Sequence, residues 1–244
     1  MSRVMAHMLS MACLQLFSFR LYGQDPTRLG SREQQMRITE HAGRQPVSVS
    51  RTVSPATVSI DDLTVPASAR NEFDKGRELL LKAQKSSESI GHFRKAIEFA
   101  PRYSEAHFLL GVAYIDILKY HEAEAALMTA TAVNSRNGRA YLALGYSLIE
   151  QRRYAEAEEP LLRGIEFDPN NSRGFYDLGR SYYALNRPQE AQKYLRKAIT
   201  LAPEVAAMHA LLANVLLCTG DMEGARREFE EYAHLDPNRN VSID

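Results

Sequence analysis

GRAYLALGYSLIEQRRYAEAEEPLLRGIEFDPNN, residues 138–171, is followed by a stretch, 172–205, that repeats it type for type. Tyr141, Leu144, Gly145, Leu148, Ala157, Leu161 and Pro169 become Phe175, Leu178, Gly179, Tyr182, Ala191, Leu195 and Pro203, every pair at the same offset. A fixed period of about 34 residues is the mark of a repeat protein built from one supersecondary unit. The same ruler reaches forward to His209, Leu212, Ala213, Leu216, Ala225, Phe229 and Pro237, a unit at 206–239. It reaches back to His107, Leu110, Gly111, Tyr114, Ala123, Leu127 and Ala130, a unit at 104–137 with Ser135 in place of proline. A further unit ends at Pro101 and carries Phe93, Ala96 and Ile97 in its second helix. Its first helix, around Phe73, Gly76 and Leu79, fits only with one residue inserted near Lys85–Ser89.

Each unit reads as two helices. In 138–171 the apolar spacing predicts one from about Arg139 to Gln151 and another from about Tyr154 to Phe167. Gly145 and Ala157 are small where the two must approach, and Tyr141, Leu144, Leu148 and Leu161 supply apolar area around them. Pro169 pushes Asp168 out of the helical region and ends the unit. Asn170, Asn171 and Ser172 are turn and N-cap types. One hairpin cannot bury its own faces, so stacked neighbours complete the core.

The period and the aromatic, Leu-Gly, Tyr, Ala, Leu, Ala and Pro positions resemble the tetratricopeptide repeat (TPR) family. The resemblance implies an all-α, right-handed superhelical solenoid of stacked helix-turn-helix hairpins at 61–239, its first repeat (61–103) irregular and carrying a cap. It also implies a concave groove lined by the first helix of each repeat. Mapped onto this chain, that groove is rich in Arg and Tyr at its centre: Arg139, Tyr146, Arg173, Tyr176, Asp177, Arg180 and Tyr183, with Asn214 in the last repeat. Those types recur in binding hot spots, and arginine can hold a carboxylate with two donors. These eight are the expected partner-binding residues. The family's clamp for chaperone tails needs Lys and Asn at fixed groove positions in consecutive repeats, and this chain lacks that set.

Outside the repeats the composition shifts. Residues 1–23 carry Arg3, an apolar-rich run from Val4 to Phe19 without acids, and the close Tyr22-Gly23. They read as a secretory signal cut after Gly23, which places the chain outside the cytoplasm; an uncleaved membrane anchor is the alternative. Removing them takes away Arg3 and Arg20, so the formal charge falls from zero (30 bases, 30 acids) to minus two (28 against 30). Cys218 is then the one cysteine left, and no disulfide within the chain is expected. Residues 24–60, rich in Gln, Arg, Ser, Thr, Val and Pro, read as a disordered linker, and 240–244 as a tail. Leu63 and Val65 are expected to cap the first helix. The last helix, 222–235, is expected to leave an apolar edge around Phe229, Tyr232 and Leu235 for another copy or a partner.

The balance of charge offers no footprint for nucleic acid. After residue 23 no apolar run reaches the roughly 18 residues of a membrane span. The sequence HEAEA at 121–125 lacks the HExxH spacing, and no phosphate-cradling glycine loop or GxSxG elbow occurs. No cofactor, metal or catalytic residue is therefore expected. His107 and His209 fall on the aromatic repeat position and read as packing residues, while His92, His121 and His234 read as outer-face residues. Two functions fit: an adaptor that binds a partner segment in the groove, or a structural subunit that assembles through its C-terminal edge.

Overall fold

The computed structural model describes residues 65–81 and 84–236. The expected signal, linker, tail and the Leu63 part of the cap lie outside them. The described residues are helices joined by short turns: α1 Ala67–Leu81, α2 Ser86–Phe99, α3 Ser104–Asp116, α4 Tyr120–Val133, α5 Gly138–Glu150, α6 Tyr154–Phe167, α7 Ser172–Ala184, α8 Pro188–Leu201, α9 Ala206–Thr219 and α10 Met222–Leu235. They fall into two compact units, 65–185 and 186–236.

In the larger unit, α1–α2, α3–α4 and α5–α6 form antiparallel hairpins. The close approach within each rests on one glycine. A Cβ on Gly145 would lie 2.4 Å from Leu161 Cγ, and one on Gly111 would lie 2.5 Å from Leu127 Cγ. Leu127 and Leu161 are wholly buried in return, each worth roughly 1.5–3 kcal/mol relative to exposure. Gly76 makes the same contact with the Phe93 ring.

The turns follow one plan as well. Gln84, Leu118, Arg152, Asn186 and Gly220 all have positive φ, from 50° to 85°, and each stands one full repeat after the last. A left-handed residue lets the chain reverse within a tight turn, at a cost wherever a Cβ is present. This register locates the irregularity of the first repeat. Gln84 and Phe93 stand one full repeat before Leu118 and Leu127, but Gly76 stands a repeat and one further position before Gly111. The extra residue thus lies between Gly76 and Gln84, upstream of the Lys85–Ser89 segment where the sequence pattern suggested it. α1 has 15 residues, against 13 in α3, α5 and α7.

Helix starts carry side-chain caps where the sequence offers them. Asn137 accepts from the Ala140 amide at 3.1 Å, Asn171 from Gly174 at 2.9 Å, and Asp221 from Gly224 at 2.9 Å. Val65 is buried ahead of α1. Successive hairpins of the larger unit are stitched by polar contacts. Ser147 Oγ donates to the Tyr120 carbonyl at 2.8 Å, and Arg153 Nη1 donates to both Glu124 oxygens at 2.6–2.7 Å.

In the smaller unit, α8 and α9 pack together and α9 pairs with α10. His209 is buried there, its Nε2 donating to the Pro203 carbonyl and its Nδ1 lying 2.8 Å from Glu228. His107 Nε2 donates to Pro101 in the same way. His92 departs from a purely outward position: its Nδ1 lies 2.8 Å from Glu72 across the α1–α2 hairpin. α10 buries only Gly224 and Ala225.

Candidate functional site

First helices of successive hairpins touch one another, α1 with α3, α3 with α5 and α5 with α7. Their shared side carries a polar and aromatic row. At its start Arg139 sits over the Phe108 ring, 4.9 Å from the centroid, and Nη2 donates to both Glu105 oxygens at 2.9 and 3.1 Å. These two charged residues are 34 positions apart and join neighbouring repeats.

Farther along, rings and guanidinium groups alternate. Arg173 lies 5.0 Å from the Tyr146 centroid and 5.6 Å from that of Tyr176, and Arg180 lies 6.0 Å from Tyr176. Asp177 links the two arginines. Its Oδ2 accepts from Arg173 Nε at 3.0 Å and its Oδ1 from Arg180 Nη1 at 3.3 Å. Arg180 Nη2 also donates to Glu150 of α5 at 3.0 Å. Burial alone would make the Arg180 cation harder to keep, yet Asp177 and Glu150 raise its pKa above the ordinary arginine value. Arg173 is raised too: burial is the largest influence and works against the cation, and Arg180 repels it, but Asp177 together with Tyr176 and Tyr146 outweighs both. Tyr146 is pushed up by burial first and by Glu150 second. The network is a balanced set of two cations and two anions, and it holds its side chains in place.

The expected partner-binding residues divide into three groups. Arg139, Tyr146 and Arg173 are half-exposed and form the accessible row. Tyr176, Asp177, Arg180 and Tyr183 are buried, with exposures of 2%, 2%, 9% and 2%, and lie beneath it. Asn214 belongs to the other unit, half-buried on α9. The pattern of types along first helices pointed to the row. The carboxylates that hold it, Glu105 and Glu150, gave no signal as partners until the fold set them beside arginines 34 and 30 positions away. Glu158 is likewise engaged, accepting from the Tyr182 hydroxyl at 2.9 Å. Among the described residues no cluster of His, Cys, Asp and Glu is arranged to hold a metal, and no helix is long and apolar enough to cross a membrane.

Hairpins on one fixed period, closed by a glycine against a leucine and stacked through their first helices, are tetratricopeptide repeats. Residues 78–239 match the TPR family described as the cilia and flagella-associated protein 70 C-terminal domain, and the chain belongs to that family. No curated protein matches it in sequence. Among solved structures it is similar to MamA (residues 41 to the end) from Desulfovibrio magneticus RS-1, at 18% identity and a TM-score of 0.66, over 72% of this chain and 99% of that one. It is similar to PilF from Pseudomonas aeruginosa at 26% identity and 0.61, over 68% and 76%. It is also similar to YrrB, described as a TPR protein with an unusual peptide-binding site, at 18% identity and 0.62, over 70% and 88%. The fold is that of a protein-interaction module.

Proposed function

We propose that this chain is a non-catalytic adaptor whose first-helix groove receives a segment of a partner protein. The observation that carries the reading is the row Arg139, Tyr146, Arg173. Arg173, packed on the Tyr146 ring, is braced from below by the buried network, and Arg139 is held by Glu105 and the Phe108 ring, so the row offers broad contact area already ordered before binding. YrrB, a neighbour in fold, is described as having a peptide-binding site. The test is photo-crosslinking from residue 146 in the native fraction, with and without Arg173→Gln. A discrete partner captured from residue 146 and lost in the variant supports the groove. Capture only from outer positions such as Met128 contradicts it.

The expected secretory reading of residues 1–23 belongs to the same proposal: the adaptor works outside the cytoplasm, after cleavage following Gly23 or anchored by an uncleaved N-terminus. N-terminal sequencing of the exported protein distinguishes the two, and a cytoplasmic protein starting at Met1 contradicts both.

One observation favours a second reading, assembly through the C-terminal edge. Phe229 is half-buried, whereas Leu127, Leu161 and Leu195 at the same repeat position are wholly buried. Sedimentation that gives a concentration-dependent dimer, abolished by Phe229→Ser, would put the structural-subunit role first; a monomer at all concentrations removes it.

A further inference from the structure

Arg173 leaves the outer edge of its guanidinium unused. Asp177 takes its Nε, and the Tyr146 and Tyr176 rings hold its plane. Its Nη1 and Nη2 make no hydrogen bond among the described residues, and the side chain is 34% exposed. Tyr146, whose ring lies 5.0 Å from the Arg173 guanidinium carbon, also has no hydrogen-bond partner for its hydroxyl among those residues. The acceptors of the network lie below, Asp177 at 3% and Glu150 at 12% side-chain exposure. A guest at this point of the groove therefore meets a fixed pair of guanidinium N–H donors and a phenol, with the negative charges beneath it. Arg180 is no alternative contact, since it is committed to two carboxylates and is only 10% exposed.

We propose that the partner segment places an acidic side chain, Glu or Asp, on the free Nη1/Nη2 edge of Arg173, with the Tyr146 hydroxyl as a third donor. This rests on the groove reading above and specifies the chemistry the groove selects. Two parallel N–H donors match the two oxygens of a carboxylate. The aromatic clamp and Asp177 have already fixed the guanidinium plane, so little side-chain freedom is lost when the carboxylate arrives. A lysine or arginine at the same place would face Arg173 with like charge, and a purely apolar side chain would leave the desolvated donors unpaired. Asp177 acts as a positioning residue: it aims the free edge outward and does not touch the guest.

The test is selection of a displayed random twelve-residue peptide library on the full chain. The best binder is then synthesised with both termini capped, so that only side chains supply carboxylates. An acid fixed at one position is the expected result. Replacing that Glu by Gln should weaken binding about tenfold or more in the wild type and leave it nearly unchanged in Arg173→Gln. Arg173→Lys keeps the charge facing Asp177 and serves as the folded control, and it should not restore the loss. Peptides that compete at Tyr146 but show no acid preference, or bind Arg173→Gln equally well, overturn the inference and leave the groove standing. Dependence on a free C-terminal carboxylate in place of an internal acid overturns it as well. A library that yields no binder removes the groove reading and this inference together.

Discussion

α7 and α9 occupy the same place in successive repeats and present opposite chemistry. Arg173, Tyr176, Asp177, Arg180 and Tyr183 of α7 correspond, one repeat on, to Ala207, Ala210, Leu211, Asn214 and Leu217 of α9. Both helices keep the positions that build a hairpin: Phe175 and His209, Leu178 and Leu212, Gly179 and Ala213, Tyr182 and Leu216. The repeat needs the second set and is indifferent to the first, since α9 folds with alanine, leucine and asparagine where α7 carries charged and phenolic groups. A buried ion network is seldom the most stable way to fill such a site. Under the groove proposal, the one on α7 serves what it presents more than what it stabilises.

The comparison can be broken most severely at Asp177. Asp177→Leu installs the α9 residue but leaves Arg173 without a carboxylate and Arg180 with only Glu150. A loss of roughly 3–5 kcal/mol in urea unfolding is expected. Next come the glycines that both regions depend on or replace. Gly145→Ala should cost about 1–3 kcal/mol, because the new Cβ meets Leu161 and something must shift, whereas Ala213 already fills that position in α9.

The turns sharpen the contrast at a smaller scale. Leu118 holds φ 61° and Gly220 holds φ 85° at equivalent positions. Leu118→Gly should gain, and Gly220→Ala lose, about 1 kcal/mol by thermal unfolding. The smallest effect contrasts the first and last hairpins, each crossed by a histidine–carboxylate pair. Hydrogen bonds from Lys75 and then His92 hold the Glu72 carboxyl at about 2, below the ordinary 4.5. Because the folded value is depressed, this contribution is present above about 4.5 and is lost as the pH falls toward 2. Glu72→Gln should be less stable than wild type at neutral pH, and acid titration should bring the two curves together near pH 2.

What the sequence made legible follows the same division. Gly145 as a small residue at the helix crossing and Asn171 as a turn and cap residue could be read because local rules dictate them: a fixed period, a small residue at a crossing, an N-cap type before a helix. That Leu161 is what meets Gly145 came with the fold. The place of the extra residue in the first repeat was less legible. Only the left-handed Gln84, in phase with Leu118, shows that the shift occurs before the turn. The arginines of the row were visible as residue types, but their state was not. Whether Arg180 is a contact or a buried strut depends on Glu150, in the preceding repeat, and no local pattern announces a partner at that distance. The exposed edge of Arg173 depends likewise on two rings from different helices.

The most direct measurement is the peptide affinity and melting temperature of one multiple variant that gives α7 the inner face of α9: Arg173→Ala, Asp177→Leu and Arg180→Asn, with Glu150→Gln so that no anion is stranded. The account predicts a cooperative melt close to that of wild type and no measurable binding of the peptide selected on the wild-type chain. Binding that survives in the variant would contradict it, and so would a variant that cannot fold, since the network would then be serving the repeat and not a partner.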